Sequence, residues 1–152
     1  HFQNFNKRLI KSPKLYFCDT GLACSLLRID SPVALSNSHF HGSLFECLII
    51  SDFYKQYCNQ GRRPSLYFWR DAGGAHEIDC ILDHGVKNYP VEIKSGKRVA
   101  SDFFRGLNYW NDLSDGSSKD SYLIYANKEK QIRKHGNVVG WKDAADLINK
   151  LK

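Results

Sequence analysis

Methionine is missing from all 152 residues, position 1 included. A chain that opens on His1 is expected to begin inside a longer protein. No apolar run approaches the roughly 18 residues that a membrane-crossing helix needs, and no secretory leader opens the chain. The five cysteines, at 18, 24, 47, 58 and 80, are odd in number and contain no CxxC. That argues against a disulfide framework or a zinc cluster, and the expectation is buried free thiols in a reducing cytoplasm. GxSxG and HExxH are absent, which removes two hydrolase signatures. Ser95-Gly96-Lys97 has the tail of a phosphate-binding loop. The first glycine of that loop would be position 91, a valine, and position 98 is arginine instead of Ser or Thr. His39 and His41 stand together in a loop without zinc spacing.

What is present is a globular composition, with 13% aromatic and 25% charged residues. The length suits one domain with a real core. A net charge of +6 permits a polyanionic partner. Residues 1–12 read as a basic arm or linker, and 13–152 as the folded domain. Lys14–Cys18 is expected as a short strand, Leu22–Leu27 as a short helix and 30–41 as loop. Ser43–Tyr57 has helical periodicity, with Leu48, Ile49 and Phe53 as its apolar spine and a Ser43-x-x-Glu46 capping box. Ser65–Arg70, Glu77–Leu82 and Tyr89–Lys94 are three strands joined by short turns, an antiparallel meander. Ser101–Leu113 is an amphipathic helix capped by Ser101, with Phe103, Leu107 and Trp110 on one face. Ser121–Ala126 is a buried strand, Asn137–Gly140 an edge strand, and Asp143–Leu151 a closing helix.

The stretch EIDCILDHGVKNYPVEIK, residues 77–94, concentrates the chemistry. Residues two apart on a strand share a face, so Asp79 is expected beside Glu92 and Lys94. Two carboxylates suit a hard divalent cation, which lowers the pKa of a bound water and neutralises a phosphodiester. Lys94 could orient that water or stabilise the phosphate; a plain solvated strand face is the competing explanation. Glu77 is either a third ligand or, preferably, a solvated edge. Glu46 is either a cap or a ligand reaching in from the helix. Lys97, Arg98 and Arg105 either hold phosphates or are ordinary surface charge. Tyr109, off the apolar stripe, could touch substrate, whereas Trp110 belongs to the core. KEKQIRKH, 128–135, is either a DNA-contacting strip or, preferably, a solvated loop.

A glutamate on a helix, an aspartate on a following strand and Glu-x-Lys on the next resemble the P-D-(D/E)-x-K nuclease superfamily. Its restriction-endonuclease-like core has the order α-β-β-β-α-β. Asp79 sits in Glu-Ile-Asp here, so the proline-aspartate form is replaced by a variant. PKLYFCDTGL, GSLFE, LYFWRD, EIDCIL, PVEIKSGK and GLNYW, spread over residues 13–110, resemble more closely a C-terminal domain of unknown function attached to prokaryotic AAA-type ATPases. The resemblance implies an α/β fold with a central mixed sheet flanked by helices. It implies Mg2+ (or Mn2+) on Asp79 and Glu92 with Glu46 near, and Lys94 as catalytic lysine. DNA is the implied substrate, left with 3′-hydroxyl and 5′-phosphate ends. An N-terminal ATPase domain of the same chain is the implied partner, in the cytoplasm. The alternative is an inactive DNA-binding or regulatory module of that ATPase.

Overall fold

The computed structural model describes residues 13–151, so the expected arm at 1–12 lies outside the described residues. Two short helices come first, α1 (Thr20–Leu26) and α2 (Pro32–Asn37). Asp19 caps α1 by accepting from the Leu22 N–H at 2.9 Å. Ser31 caps α2, and Pro32 fits its first turn, where no N–H is needed. The expectation of loop over 30–41 is corrected by α2. This helix buries no residue, so it carries no apolar period to read. The strand expected at Lys14–Cys18 is not formed. Its alternation is real, with Lys14 and Tyr16 turned in and Leu15 and Phe17 exposed, but it has no ladder partner.

Helix α3 (His41–Asn59) starts two residues before Ser43, with Phe40 at its N-cap and no side-chain cap bond. The capping box is therefore not made, and Glu46 is free to serve elsewhere. Strands β1 (Leu66–Arg70), β2 (Glu77–Asp83) and β3 (Asn88–Lys94) form the antiparallel meander. Gly85, at φ +77°, makes the tight β2–β3 turn, a backbone state that glycine adopts without a Cβ penalty. A 3-10 turn at Ser101–Phe104 leads into α4 (Arg105–Ser114). Ala100, not Ser101, precedes the turn.

Then come β4 (Tyr122–Tyr125), β5 (Gln131–Arg133), β6 (Gly136–Gly140) and α5 (Asp146–Lys150). The six strands form one mixed sheet in the order β1-β2-β3-β4-β6-β5, with β4 parallel to both β3 and β6. Strand β6 is therefore internal, and the edge belongs to β5. The sequence of β5 reads as loop because its residues are exposed or half-exposed, leaving no apolar face. Ala144, Leu147, Ile148 and Leu151 are buried as expected, although the closing helix is only five residues long.

The sheet separates two cores. On one side Ile49, Phe53 and Tyr57 of α3 and Ile148 of α5 pack on Cys80, Leu82, Val91, Ile93 and Ile124. On the other, Leu107 and Trp110 of α4 pack on Trp69, Ile78, Ile81, Leu123 and Tyr125. Of the cysteines, only Cys47 and Cys80 are buried, and all five are free. Cys18 and Cys58 are exposed, which departs from the expectation of buried thiols.

Candidate functional site

The β2 strand breaks its own alternation at Asp79. Between the pairs Tyr67↔Ile81 and Trp69↔Ile78, β2 spends one residue more than β1. This is a β-bulge, with Asp79 and Cys80 opposing Phe68. Its effect is visible in the packing: Ile78 faces the α4 core and Cys80 the α3 core, although they are two apart. Bulges end pairing and re-aim side chains. Here the β2–β3 ladder stops at Cys80↔Val91. Instead of a further ladder pair, Asp79 Oδ2 accepts from the Ile93 N–H at 2.8 Å.

The acids consequently do not all project from one face, although Asp79 stands within electrostatic reach of Glu92 and Lys94, as the two-residue spacing had implied. Glu92 and Lys94 pair in register with Leu123 and Tyr125, which belong to the α4 core. Glu92 lies under α4: a Cβ at Gly106 would stand 3.5 Å from its Oε2 and 2.5 Å from the Glu77 carbonyl oxygen. Gly106 is thus required by the close approach of helix to strand. The Glu46 carboxylate lies on the α3 side with Glu77, and Asp79, at the bulge, stands between the two sets.

On the α3 side the organising group is Lys14, which the sequence had suggested only as the first residue of a short strand. The Lys14 Nζ lies 3.0 Å from Glu46 Oε1 and 3.8 Å from Asp79 Oδ1, and it also bonds Glu77. The Tyr16 hydroxyl donates to Glu46 Oε1 at 2.7 Å. Arg70 bonds Glu77 as well, with its Nη2 at 2.6 Å. Glu77 is accordingly no solvated bystander. Burial alone would lower the Lys14 pKa, but Glu77 and Glu46 outweigh it and hold the ammonium above its ordinary value. Burial opposes ionisation of Glu77 too, yet Lys14 and Arg70 keep its carboxyl below the usual range. The i,i+2 spacing of Lys14 and Tyr16 was the available signal, but their partners lie more than 25 residues away.

On the α4 side Glu92 is 8% exposed. Its Oε1 takes the Lys94 ammonium, while its Oε2 is buried with no hydrogen-bond partner among the described residues. Burial, and then the charge of Asp79, push the Glu92 carboxyl up. Asp79 is pushed up by its own burial and then by Glu46. For Lys94 burial works downward, but Glu92 and Asp79 prevail, so it stays an ammonium at neutral pH.

Among the described residues, no group of three or more His, Cys, Asp or Glu side chains stands ready to hold a metal ion. The fit rests instead on two carboxylates. Asp79 and Glu92 repel one another, and Glu92 keeps an orphaned buried oxygen; both conditions are what a cation would relieve. Glu46, expected as a third ligand, is engaged by Lys14 and Tyr16. The other candidates are more dispersed. Lys97, Arg98 and Arg105 are exposed and make no ion pair among the described residues. Tyr109 stacks on His76, centroids 3.8 Å apart and planes 3° apart, so its ring is held at the β1–β2 turn. A cleft of about 480 Å3 opens on the other side of Asp79, lined by Lys14, Tyr54, Tyr67, Phe68 and Cys80. Neighbouring residues Tyr67 and Phe68 both reach it, next to the bulge.

Residues 41–143, from the start of α3 through all six strands, match the family described as "Domain of unknown function (DUF4143)", and the chain belongs to it. Residues 1–33 match a second description, "Domain of unknown function (DUF8612)". Uncharacterized proteins of Mycobacterium bovis and Mycobacterium tuberculosis are each 34% identical over 93 residues. That is 61% of this chain and 20% of theirs, so the chain spans about a fifth of the length of these relatives. Among the described residues, no helix is long and apolar enough to cross a membrane.

Proposed function

We propose that the chain carries a nuclease-like domain that hydrolyses phosphodiester bonds in DNA with Mg2+ or Mn2+. We further propose that it is the C-terminal module of an AAA-type ATPase. The observation that carries the reading is the buried oxygen of Glu92 near the end of β3, without a hydrogen-bond partner among the described residues, next to an Asp79 whose charge opposes Glu92 ionisation. The order α3-β1-β2-β3-α4-β4 agrees with the α-β-β-β-α-β core of restriction-endonuclease-like folds.

In this reading Asp79 and Glu92 hold the ion. When bound, the ion activates water and offsets phosphate charge. The chain supplies the rest. The Asp79 carboxylate is fixed by the Ile93 N–H, so its free oxygen keeps one direction. Lys94 stands beside the two carboxylates, bonded to Glu92, and its ammonium form is favoured by Glu92 and Asp79. It donates to the phosphate oxygens as negative charge accumulates on them. Exposed Lys97, Arg98 and Arg105 attract the polyanion and set its approach.

The test is incubation of the purified chain with plasmid and single-stranded DNA in Mg2+ or Mn2+. Cleavage is expected to fall at least about a hundredfold in Lys94→Ala and in Asp79→Asn. Equal degradation by wild type and Lys94→Ala sinks the assignment.

A second reading, an inactive DNA-binding or regulatory module, has one observation in its favour: Lys14 already neutralises the acids on the α3 side. It predicts salt-sensitive DNA binding that persists in Asp79→Asn, with no cleavage.

A further inference from the structure

The cleft beside Asp79 is walled by α3, β1, β2 and residues 14–18, and it encloses about 480 Å3. Aromatic and aliphatic side chains make most of its lining, among them Phe17, Tyr54, Leu66 and Phe68. Two charged groups, Lys14 and Asp79, stand together in it, 3.8 Å apart. A concave apolar site of this size with a few polar groups is the usual form of a binding site for a small or planar ligand. We infer that the cleft is a nucleobase subsite, and that the DNA this chain takes is single-stranded or has a base turned out of its stack. The inference rests on the nucleic-acid part of the reading above and not on cleavage.

The rings of the cleft are uncommitted. Tyr54 is 47% exposed, and neither its hydroxyl nor its ring has a hydrogen-bond or ring partner among the described residues. Phe17 is 41% exposed. Other tyrosines of the chain are engaged: Tyr16 with Glu46, Tyr57 with His84 and Tyr109 with His76. An aromatic face left open in a concave site is surface that a flat ligand covers. Every base presents a face that stacks on such a ring, whatever the sequence.

The position of the cleft selects a nucleotide. The bulge sets Phe68 opposite Asp79 and Cys80, so the aromatic lining begins at a carboxylate of the candidate site. A nucleotide has the matching combination, a flat ring joined through one sugar to a phosphate. Asp79 and Lys14 offer the polar edge of that ring an acceptor and a donor. Lys55, next to Tyr54, is exposed and makes no ion pair among the described residues, so it is available to a phosphate. The net charge of +6 favours a polyanion over a neutral apolar peptide as the occupant.

The same geometry sets the substrate class. In a duplex both faces of a base are covered by stacking and its edge by pairing. A base reaches a cleft of this kind only from a single strand or after it has been turned out.

The test measures fluorescence anisotropy of labelled oligonucleotides with the 152-residue chain in EDTA, where cleavage does not intervene. Three probes are compared: a single strand, its duplex, and a strand of equal length and charge that is abasic throughout. Wild type is expected to bind the single strand about tenfold tighter than the abasic strand. Tyr54→Leu is expected to lose about five- to thirtyfold on the single strand and less than about twofold on the abasic strand. Tyr54→Trp, which keeps an aromatic face, should stay within about threefold of wild type. Phe17→Leu is a second variant, with the same expectation as Tyr54→Leu. No loss in either leucine variant, an equal loss on the single and abasic strands, or tighter binding of the duplex than of the single strand overturns the inference. So does capture of a Phe- and Leu-rich peptide by a chain that ignores all three probes, which would assign the cleft to a protein segment. Base-dependent binding by a chain that leaves DNA intact in Mg2+ defeats the nuclease reading alone. Cleavage with binding indifferent to Tyr54 and Phe17 defeats this inference alone.

Discussion

The two sides of the sheet handle buried carboxylates differently. On the α3 side, Glu46 and Glu77 are met by Lys14, Arg70 and the Tyr16 hydroxyl. On the α4 side, Glu92 has Lys94 on one oxygen and, among the described residues, no hydrogen-bond partner on the other. A buried carboxylate costs several kcal/mol unless it is paired and hydrogen-bonded. The first side has met that requirement from within the chain. The second has not, and its remaining need is the strongest pointer to a ligand. Asp79, at the bulge, is shared between the two, so any change on one side is felt on the other.

The comparison can be broken at the helix that roofs the poorer side. Gly106→Ala would put a methyl 2.5 Å from the Glu77 carbonyl oxygen. Because that atom is backbone, α4 or β2 must shift, and a loss of about 3 kcal/mol is expected in urea unfolding. A loss within about 0.5 kcal/mol would show that α4 does not press on Glu92 as described.

Lys14→Met in metal-free buffer at neutral pH should cost less, about 2 kcal/mol, since Lys14 is 20% exposed and solvent can partly take over its role. Arg70→Met, which leaves Glu77 with Lys14, should cost less than Lys14→Met.

A third effect is a pH slope. Asp79 and Glu92 both have folded pKa values raised above the ordinary carboxylate range. The folded chain therefore keeps protons that the unfolded chain has released. With more protons bound in the native state, stability falls as pH rises from about 4 through the raised folded values. Glu77 is lowered and works only at more acid pH; Lys14 and Lys94 are raised and work only in the alkaline range. The neutral window thus belongs chiefly to Asp79 and Glu92; His84, whose imidazole burial holds below its ordinary value, adds a slope of the opposite sign at the acid end of that window. In metal-free buffer the Tm of wild type should drop between pH 5 and 8, and Glu92→Gln should flatten that drop by roughly half. An unchanged slope in Glu92→Gln would mean the partnerless oxygen is not the source of the strain.

The smallest effects on stability are expected at Lys97, Arg98 and Arg105. Each alanine variant should stay within about 0.5 kcal/mol of wild type. If these residues meet phosphates, each should reduce the salt dependence of DNA affinity by about one counterion.

Much of the fold was legible. Alternation in 77–82 and 89–94 marked β2 and β3, and the apolar spacing of Ile49 and Phe53 marked α3, because both patterns follow from geometry within one element. The candidates Asp79, Glu92 and Lys94 were read from the same alternation, and Glu46 was weighted as a candidate by the family resemblance. What escaped were features without a local signature: α2, with no buried residue, and β5, an edge strand with no apolar face. The bulge escaped as well, since one extra residue on β2 has meaning only against β1.

The sequence by itself determined most of the strands and helices, and which acids stand near the sheet, since periodicity and turn residues act over a few positions. Only the tertiary structure decided how those acids are shared out. The bulge put Asp79 between two faces, and a contact spanning 32 residues brought Lys14 onto Glu46. The reason is physical: a charge buried among others is satisfied by whatever the fold brings within reach of it, and spacing along the chain does not encode that neighbour.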